Sequence, residues 1–277
     1  LNKKGLGLIH ALLGVVPEQF QWILNLAGLE GGIDLGFSEL NEVLNSEECK
    51  LYETEVLFLL SFLQINLTEN DELNQQYLDR IGERYQNNLL LNFAAARLSH
   101  NLGLNDYCLN VLENRPSIKG KLPFYYLDYL QGMSYLYKLE YENAQNKFEY
   151  FSVNFKGVNY IKSAYHKLAW IAFLQQNSEK RDEYFAKVIS EGNTSIDEDK
   201  VSLKDAVSVY FSSPVLLKAR LLYDGGYYEK ALSQIIAFKQ IDNIEYWYRL
   251  ARIKSKLNFK NNEIIAHYQK SYDLGKE

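Results

Sequence analysis

Proline is scarce in this chain, with 4 in 277 residues. Few positions therefore lack the backbone N–H that a helix interior needs. Cysteine is scarcer. Cys49 and Cys108 are too few and too far apart for a disulfide framework, no metal-ligand spacing surrounds them, and both are expected to be buried thiols. The four histidines, His10, His100, His166 and His267, fall on separate helical segments, with no i,i+4 pair and no H-E-x-x-H, so the usual zinc patterns are missing. No glycine-rich loop ends in Lys-Ser/Thr or follows a strand pattern, and there is no Gly-x-Ser-x-Gly elbow. Nothing supports nucleotide cradling, a metal, a cofactor or a hydrolase, and an enzyme is the least expected class. A basic excess is missing as well. The net charge is -5 and the pI about 5.6, which argues against generic nucleic-acid binding. No stretch approaches the ~20 uninterrupted apolar residues of a membrane span.

What is present is apolar residues at helical spacing and many aromatic rings: 47% hydrophobic residues, 22 Tyr and 14 Phe. Large flat side chains suit the grooves between stacked helices. Pro17 suits a first helical turn, and Phe20, Ile23, Leu24 and Ala27 follow at helical spacing. With Leu35, Leu40, Val43 and Leu44 they predict a first hairpin. The stretch 51–67 is apolar nearly all round and predicts a helix buried on most sides, partnered by a helix through Tyr77 and Ile81. A third hairpin runs from Asn87 past the break at Gly103. The fourth carries the strongest pattern, Gly132-x-x-Tyr135-x8-Ala144-x3-Phe148. Tiny and ring-bearing residues alternate there, which makes sense only where two helices touch. The fifth spans 160–190. The run Gly192 to Lys200 is expected as a loop, followed by a short helix from Leu203 to Phe211. A sixth hairpin starts at Pro214. The seventh contains Trp247, Leu250 and Ala251, and its second helix is shifted by one extra residue at Asn261-Asn262.

The fourth pattern is similar to the tetratricopeptide (TPR) repeat, and weaker copies recur at the ~34–45-residue periods of such arrays. A helical repeat buries its apolar face on its neighbours, so the expected fold is an all-α, TPR-like α-solenoid of about seven hairpins in a right-handed superhelix. The chain reads as one domain, 1–277, with an irregular insertion near 192–213. The block Gly5-x-Gly7-x-Ile9-x3-Leu13-x3-Pro17, then Ile23-Leu24-x-Leu26-x-Gly28-Leu29-x-Gly31-x4-Gly36, resembles the tetratricopeptide-39 / inclusion-body clearance family, which is linked to the mitochondrial outer membrane. Leu29 replaces the family's Phe, and Gly32-Ile33 stands where a polar turn is usual. The resemblance is good over residues 5–45 and diffuse afterwards. It implies an interaction scaffold without catalysis and carries over no site residues. The short chain and plain repeats look more like a bacterial relative, for which the organelle role does not transfer. Because residue 1 is Leu and not Met, something is expected to have preceded it. The compartment is left open between cytoplasm and periplasm.

The expected function is a non-catalytic scaffold that takes a peptide or protein segment in a concave groove. First helices of hairpins line such a groove, which points to Asn92, Arg97, Tyr125, Tyr129, Lys162, His166 and Arg220 as contacts. A basic stripe, Arg249, Arg252, Lys256 and Lys260, recurs at steps of three and four and suits a carboxylate or phosphate, or else is a solvated outer face. The alternative function is a carrier of lipid or a small apolar ligand, with a pocket near Leu57, Phe58, Phe62 and Phe93. A third is self-assembly through bare ends of the array. The sequence assigns neither the partner nor the oligomeric state.

Overall fold

Helices supply all the regular structure of the computed structural model, which describes residues 2–68, 70–117, 120, 122–208, 213–240 and 242–276. No strand occurs among the described residues. The helices pack into two compact units, Leu1–Ser117 and Ile118–Glu277.

The first unit holds α1 (Asn2–Leu13), α2 (Glu18–Leu26), α3 (Ile33–Asn45), α4 (Glu53–Leu67), α5 (Asp71–Ile81), α6 (Leu89–Asn101) and α7 (Asn105–Glu113). The pairs α4/α5 and α6/α7 match the second and third expected hairpins. The first differs from expectation, because α3 pairs with α1 and not with the Pro17 helix. Small residues decide the pairing. Gly7 and Ala11 on α1 face Gly36 on α3 so closely that a Cβ on Gly36 would lie 2.4 Å from the Gly7 carbonyl oxygen and 2.5 Å from the Ala11 nitrogen. Ala11 and Leu40 are fully buried at this crossing, and His10 Nδ1 meets Glu39 Oε2 at 2.7 Å beside it. The helix α2 keeps Trp22 63% exposed and Leu26 82% exposed. In α4, Val56, Leu57 and Leu60 are fully buried, as the apolar run predicts, although Phe62 reaches solvent. Each fully buried Leu contributes about 1.5–3 kcal/mol of apolar burial. Asn70 and Asn88 cap α5 and α6 by accepting the first free amides, those of Leu73 and of Leu90 and Leu91.

The second unit holds α8 (Tyr126–Tyr137), α9 (Tyr141–Asn154), α10 (Ile161–Leu174), α11 (Ser178–Ser190), α12 (Asp197–Ser208), α13 (Pro214–Asp224), α14 (Tyr228–Ile235), α15 (Ile244–Lys256) and α16 (Asn261–Leu274). The pairs α8/α9, α10/α11, α13/α14 and α15/α16 are helical hairpins. Gly132 lies against the ring of Phe148, and Ala144 and Phe148 are fully buried, as the alternation of tiny and aromatic residues requires.

Five hairpin turns share one backbone solution. Two residues past the first helix, the chain turns left-handed, at Gly103, Leu139, Gln176, Gly226 and Asn258, with φ between 56° and 81°. The next amide then donates back over the helix end, from Leu104 to Ser99, Glu140 to Tyr135, Asn177 to Ala172, Tyr227 to Leu222 and Phe259 to Lys254, at 2.9–3.0 Å. This is the Schellman arrangement that satisfies orphan carbonyls. In four of these hairpins the second helix starts two residues after the left-handed one. In the last it starts after one more, so the shift read at Asn261-Asn262 is real. The recurrence of one turn makes the chain an array of TPR-like hairpins.

The helix α12 interrupts that array. It begins at Asp197, inside the stretch expected as a loop, and the predicted end of that helix at Phe211 lies outside the described residues. Three carboxylates, Asp197, Glu198 and Asp199, occupy its first turn. Negative charge there is favoured by the exposed amides of a helix start, so an acidic run that reads as solvated loop is instead a helix opening.

Candidate functional site

The first turn of α10 joins three helices. Asp199 on α12 is fully buried and accepts the amide of Tyr160 at 2.7 Å and that of Ser163 at 2.9 Å. These are two of the amides that a helix start leaves open, so Asp199 caps α10 from another helix. Burial pushes the Asp199 carboxyl up, and the two amides pull it back. In return, Lys162 on α10 reaches α11. Its buried Nζ donates to the carbonyls of Val188 at 2.7 Å and Ile189 at 3.2 Å, where the α11 dipole is negative.

One turn on, His166 is buried beside Trp170 and Phe185. Its Nδ1 lies 3.2 Å from Ser202 Oγ, and its Nε2 lies 3.7 Å from an Asp205 carboxylate oxygen. These are the residue types of a hydrolytic triad, but the hydrogen bonds run against that chemistry. The Ser202 hydroxyl donates its proton to the Glu198 carbonyl at 2.6 Å, so it can only accept from His166. Burial, with Lys167 and Arg220 nearby, holds the imidazole well below its ordinary value. The cluster docks α12 on α10.

Beyond this junction lie two adjoining clefts of about 790 Å³ and 650 Å³, which share Val201 and Arg220. The smaller one is bordered by Met133 on α8, Lys167 on α10 and Glu198 on α12. The larger one runs over Trp170, Leu217, Ile244 and Tyr248 to Arg249. Its floor is apolar and its rim is charged with both signs. Trp170 is the centre of the cation arrangement, with Lys167 Nζ 3.7 Å and Arg220 Cζ 5.0 Å from its ring centroid.

The residues singled out from the sequence are distributed as follows. Arg220 lines both clefts and pairs with Asp224 at 3.6 Å. Tyr129 borders the smaller cleft but is nearly buried, with its hydroxyl 2.8 Å from Ser163 Oγ, and burial pushes the phenol far up. Lys162 and His166 are spent on the α10 junction. Tyr125 packs on Tyr150 and Phe155. Asn92 is fully buried in the first unit, where its amide donates to the Val111 carbonyl at 2.7 Å. Arg97 is half-buried near His100, and with burial it holds that imidazole down to about 4.

The basic stripe divides. Arg249 lines the larger cleft and is tied to Glu245 at 2.6 Å, and Arg252 stacks on Tyr223 at 4.5 Å. Lys256 and Lys260 are exposed. In the first unit Leu57 is fully buried, and the rings of Phe58, Phe62 and Phe93 meet at 6.1–6.4 Å, with Phe62 45% exposed. Among the described residues no group of three or more His, Cys, Asp or Glu could hold a metal ion, and no helix is long and apolar enough to cross a membrane.

Lys167, Trp170 and Tyr248 were not legible as site residues. The spacing of Lys167 and Trp170, three apart on one helix, was the available signal.

No family model matches this chain, and no curated protein matches it. Among solved structures, a tetratricopeptide repeat protein from Parabacteroides merdae is similar to it. The two are 15% identical, the match covers 93% of this chain and 91% of that one, and the TM-score is 0.48.

Proposed function

We propose that the chain is a non-catalytic adaptor that holds an extended protein segment in the groove of its second unit. The observation behind this reading is the pair of adjoining clefts, floored by Leu217, Ile244 and Tyr248 and edged by charged groups from α10, α12, α13 and α15. An apolar floor with a few placed polar groups is the usual make-up of a binding cleft. The first helices α8, α10, α13 and α15 supply it together with the inserted α12, much as the concave face of a helical array takes a ligand. The likeness of residues 5–45 to the tetratricopeptide-39 family, and a bacterial origin for this relative, belong to the same proposal. Gly7 and Gly36, which carry that likeness, also bring α1 and α3 together.

The test is selection of a random heptapeptide library displayed on phage against the purified chain. Enriched sequences are expected, and their binding should fall when Tyr248→Ala or Leu217→Ser opens the cleft floor. No enrichment, or peptides indifferent to both substitutions, would defeat the proposal.

A further inference from the structure

Lys230, Lys270 and Lys276 each rest on an aromatic ring and are exposed, whereas Lys167 is half-buried on its ring. Lys162 has two carbonyls and Arg249 has a carboxylate, but no acceptor among the described residues lies within hydrogen-bond or ion-pair reach of Lys167 Nζ. Its contact is the Trp170 ring. Arg220, on the same ring, has a single long contact to Asp224. Two cations from different helices thus converge on one indole, both facing the 650 Å³ cleft, with none of the three ammonium donors used among the described residues.

Such an arrangement is costly. A half-buried ammonium without an acceptor is partly stripped of water and gains little in return, and a second cation beside it adds repulsion. An apolar residue packed on Trp170 would serve the fold better.

We infer that Lys167 and Arg220 receive one carboxylate of the segment bound in the groove. This rests on the groove reading above and adds the chemistry of its ligand. A single acidic residue among apolar ones fits better than an acidic tract, because Asp197 and Glu198 on α12 line the same cleft, Asp205 and Asp224 act on Lys167 from nearby, and all four would repel further negative charge. Tyr129, on the same cleft, keeps its phenol protonated because burial pushes it far up, and burial holds His166 neutral.

A second consequence distinguishes this seat from a passive charge pair. Burial, followed by Arg220, brings the Lys167 ammonium down to about 7 against the pull of Asp205, Asp224 and Glu198. A carboxylate arriving between the two cations restores the charged form. Docking therefore takes up a proton, and binding weakens as pH rises above neutrality.

The test uses the same displayed library on the full chain and on Lys167→Gln, Lys167→Met and Arg220→Gln. Wild type is expected to enrich peptides with one Asp or Glu at a fixed place among apolar residues. A synthetic peptide of that sequence should bind each variant about tenfold more weakly by fluorescence anisotropy. Its Glu→Gln twin should show no further loss on Lys167→Met, and calorimetry near pH 8 in two buffers should report proton uptake with wild type and none with either Lys167 variant. Thermal melts of the variants show that they fold. Enriched peptides lacking a fixed acid, or an acidic peptide bound equally by all variants without proton uptake, would overturn this inference and leave the groove reading standing. Absence of any enrichment removes both.

Discussion

A Cβ placed on Gly132 would stand 2.9 Å from Cε1 of Phe148, whose ring is fully buried. Two effects oppose each other at this position. Alanine is favoured over glycine in a helix interior by about 1 kcal/mol, whereas displacing a packed aromatic ring costs about 1–3 kcal/mol. We expect Gly132→Ala to destabilise by about 1 kcal/mol. At Gly36 the neighbours are backbone atoms, which cannot rotate away, so Gly36→Ala should cost about 3 kcal/mol or more. Urea unfolding of the two variants tests the order as well as the sizes.

Gln176 is exposed and left-handed, with φ 60° at the turn between α10 and α11. Glycine removes a strain of about 1–2 kcal/mol there and returns part of it as unfolded-state entropy. Gln176→Gly should stabilise by about 0.5 kcal/mol, seen as a higher denaturation midpoint with unchanged slope. A lower midpoint would contradict the recurring-turn account.

Lys167 gives stability a pH dependence of definite sign. Its pKa falls on folding from the ordinary 10.5 to about 7, so between those values the unfolded chain binds more protons than the folded one. The cost of burying the ammonium is fully present below pH 7 and fades as pH rises towards 10.5. Lys167→Met should therefore stabilise by about 2 kcal/mol at pH 6, with the gain vanishing by pH 10. Melting temperatures of both proteins across that range decide the matter, and a gain that grows with pH would refute it.

Asp199 accepts two amides from within a buried junction. Asp199→Ala leaves both donors unpaired and should destabilise by about 3 kcal/mol. Asp199→Asn can replace one bond and should cost less. Hydrogen exchange at Tyr160 and Ser163 is expected to speed up in both variants, and unchanged protection there would count against the cap.

How far the sequence could be read depended on whether the deciding contact is local. The order Gly132, Tyr135, Ala144, Phe148 sits within one hairpin, and its geometry follows from spacing alone. The pairing of α1 with α3 was missed because Pro17 and the apolar period after it announce a helix, while the glycines that choose the partner lie about thirty residues apart in sequence and carry no period of their own. The start of α12 was hidden for a different reason, since Asp197 to Asp199 look solvated until a helix start is seen to need them. Arg220, chosen from its place on a first helix, lines both clefts. His166 was chosen by the same rule and Lys167 was passed over. One residue turns a helix face by about 100°, which is enough to aim His166 at Ser202 and Lys167 at the cleft.

The cap supplied by Asp199 also has a bearing on synthesis. The amide of Ser163 emerges from the ribosome thirty-six residues before the carboxylate that closes it. A nascent chain that ends at Ser190 already has both helices of its fifth hairpin, yet α10 still begins with open amides. The hairpin is finished only when α12 arrives, so translation through residue 199 sets the earliest moment at which this part of the array can lock.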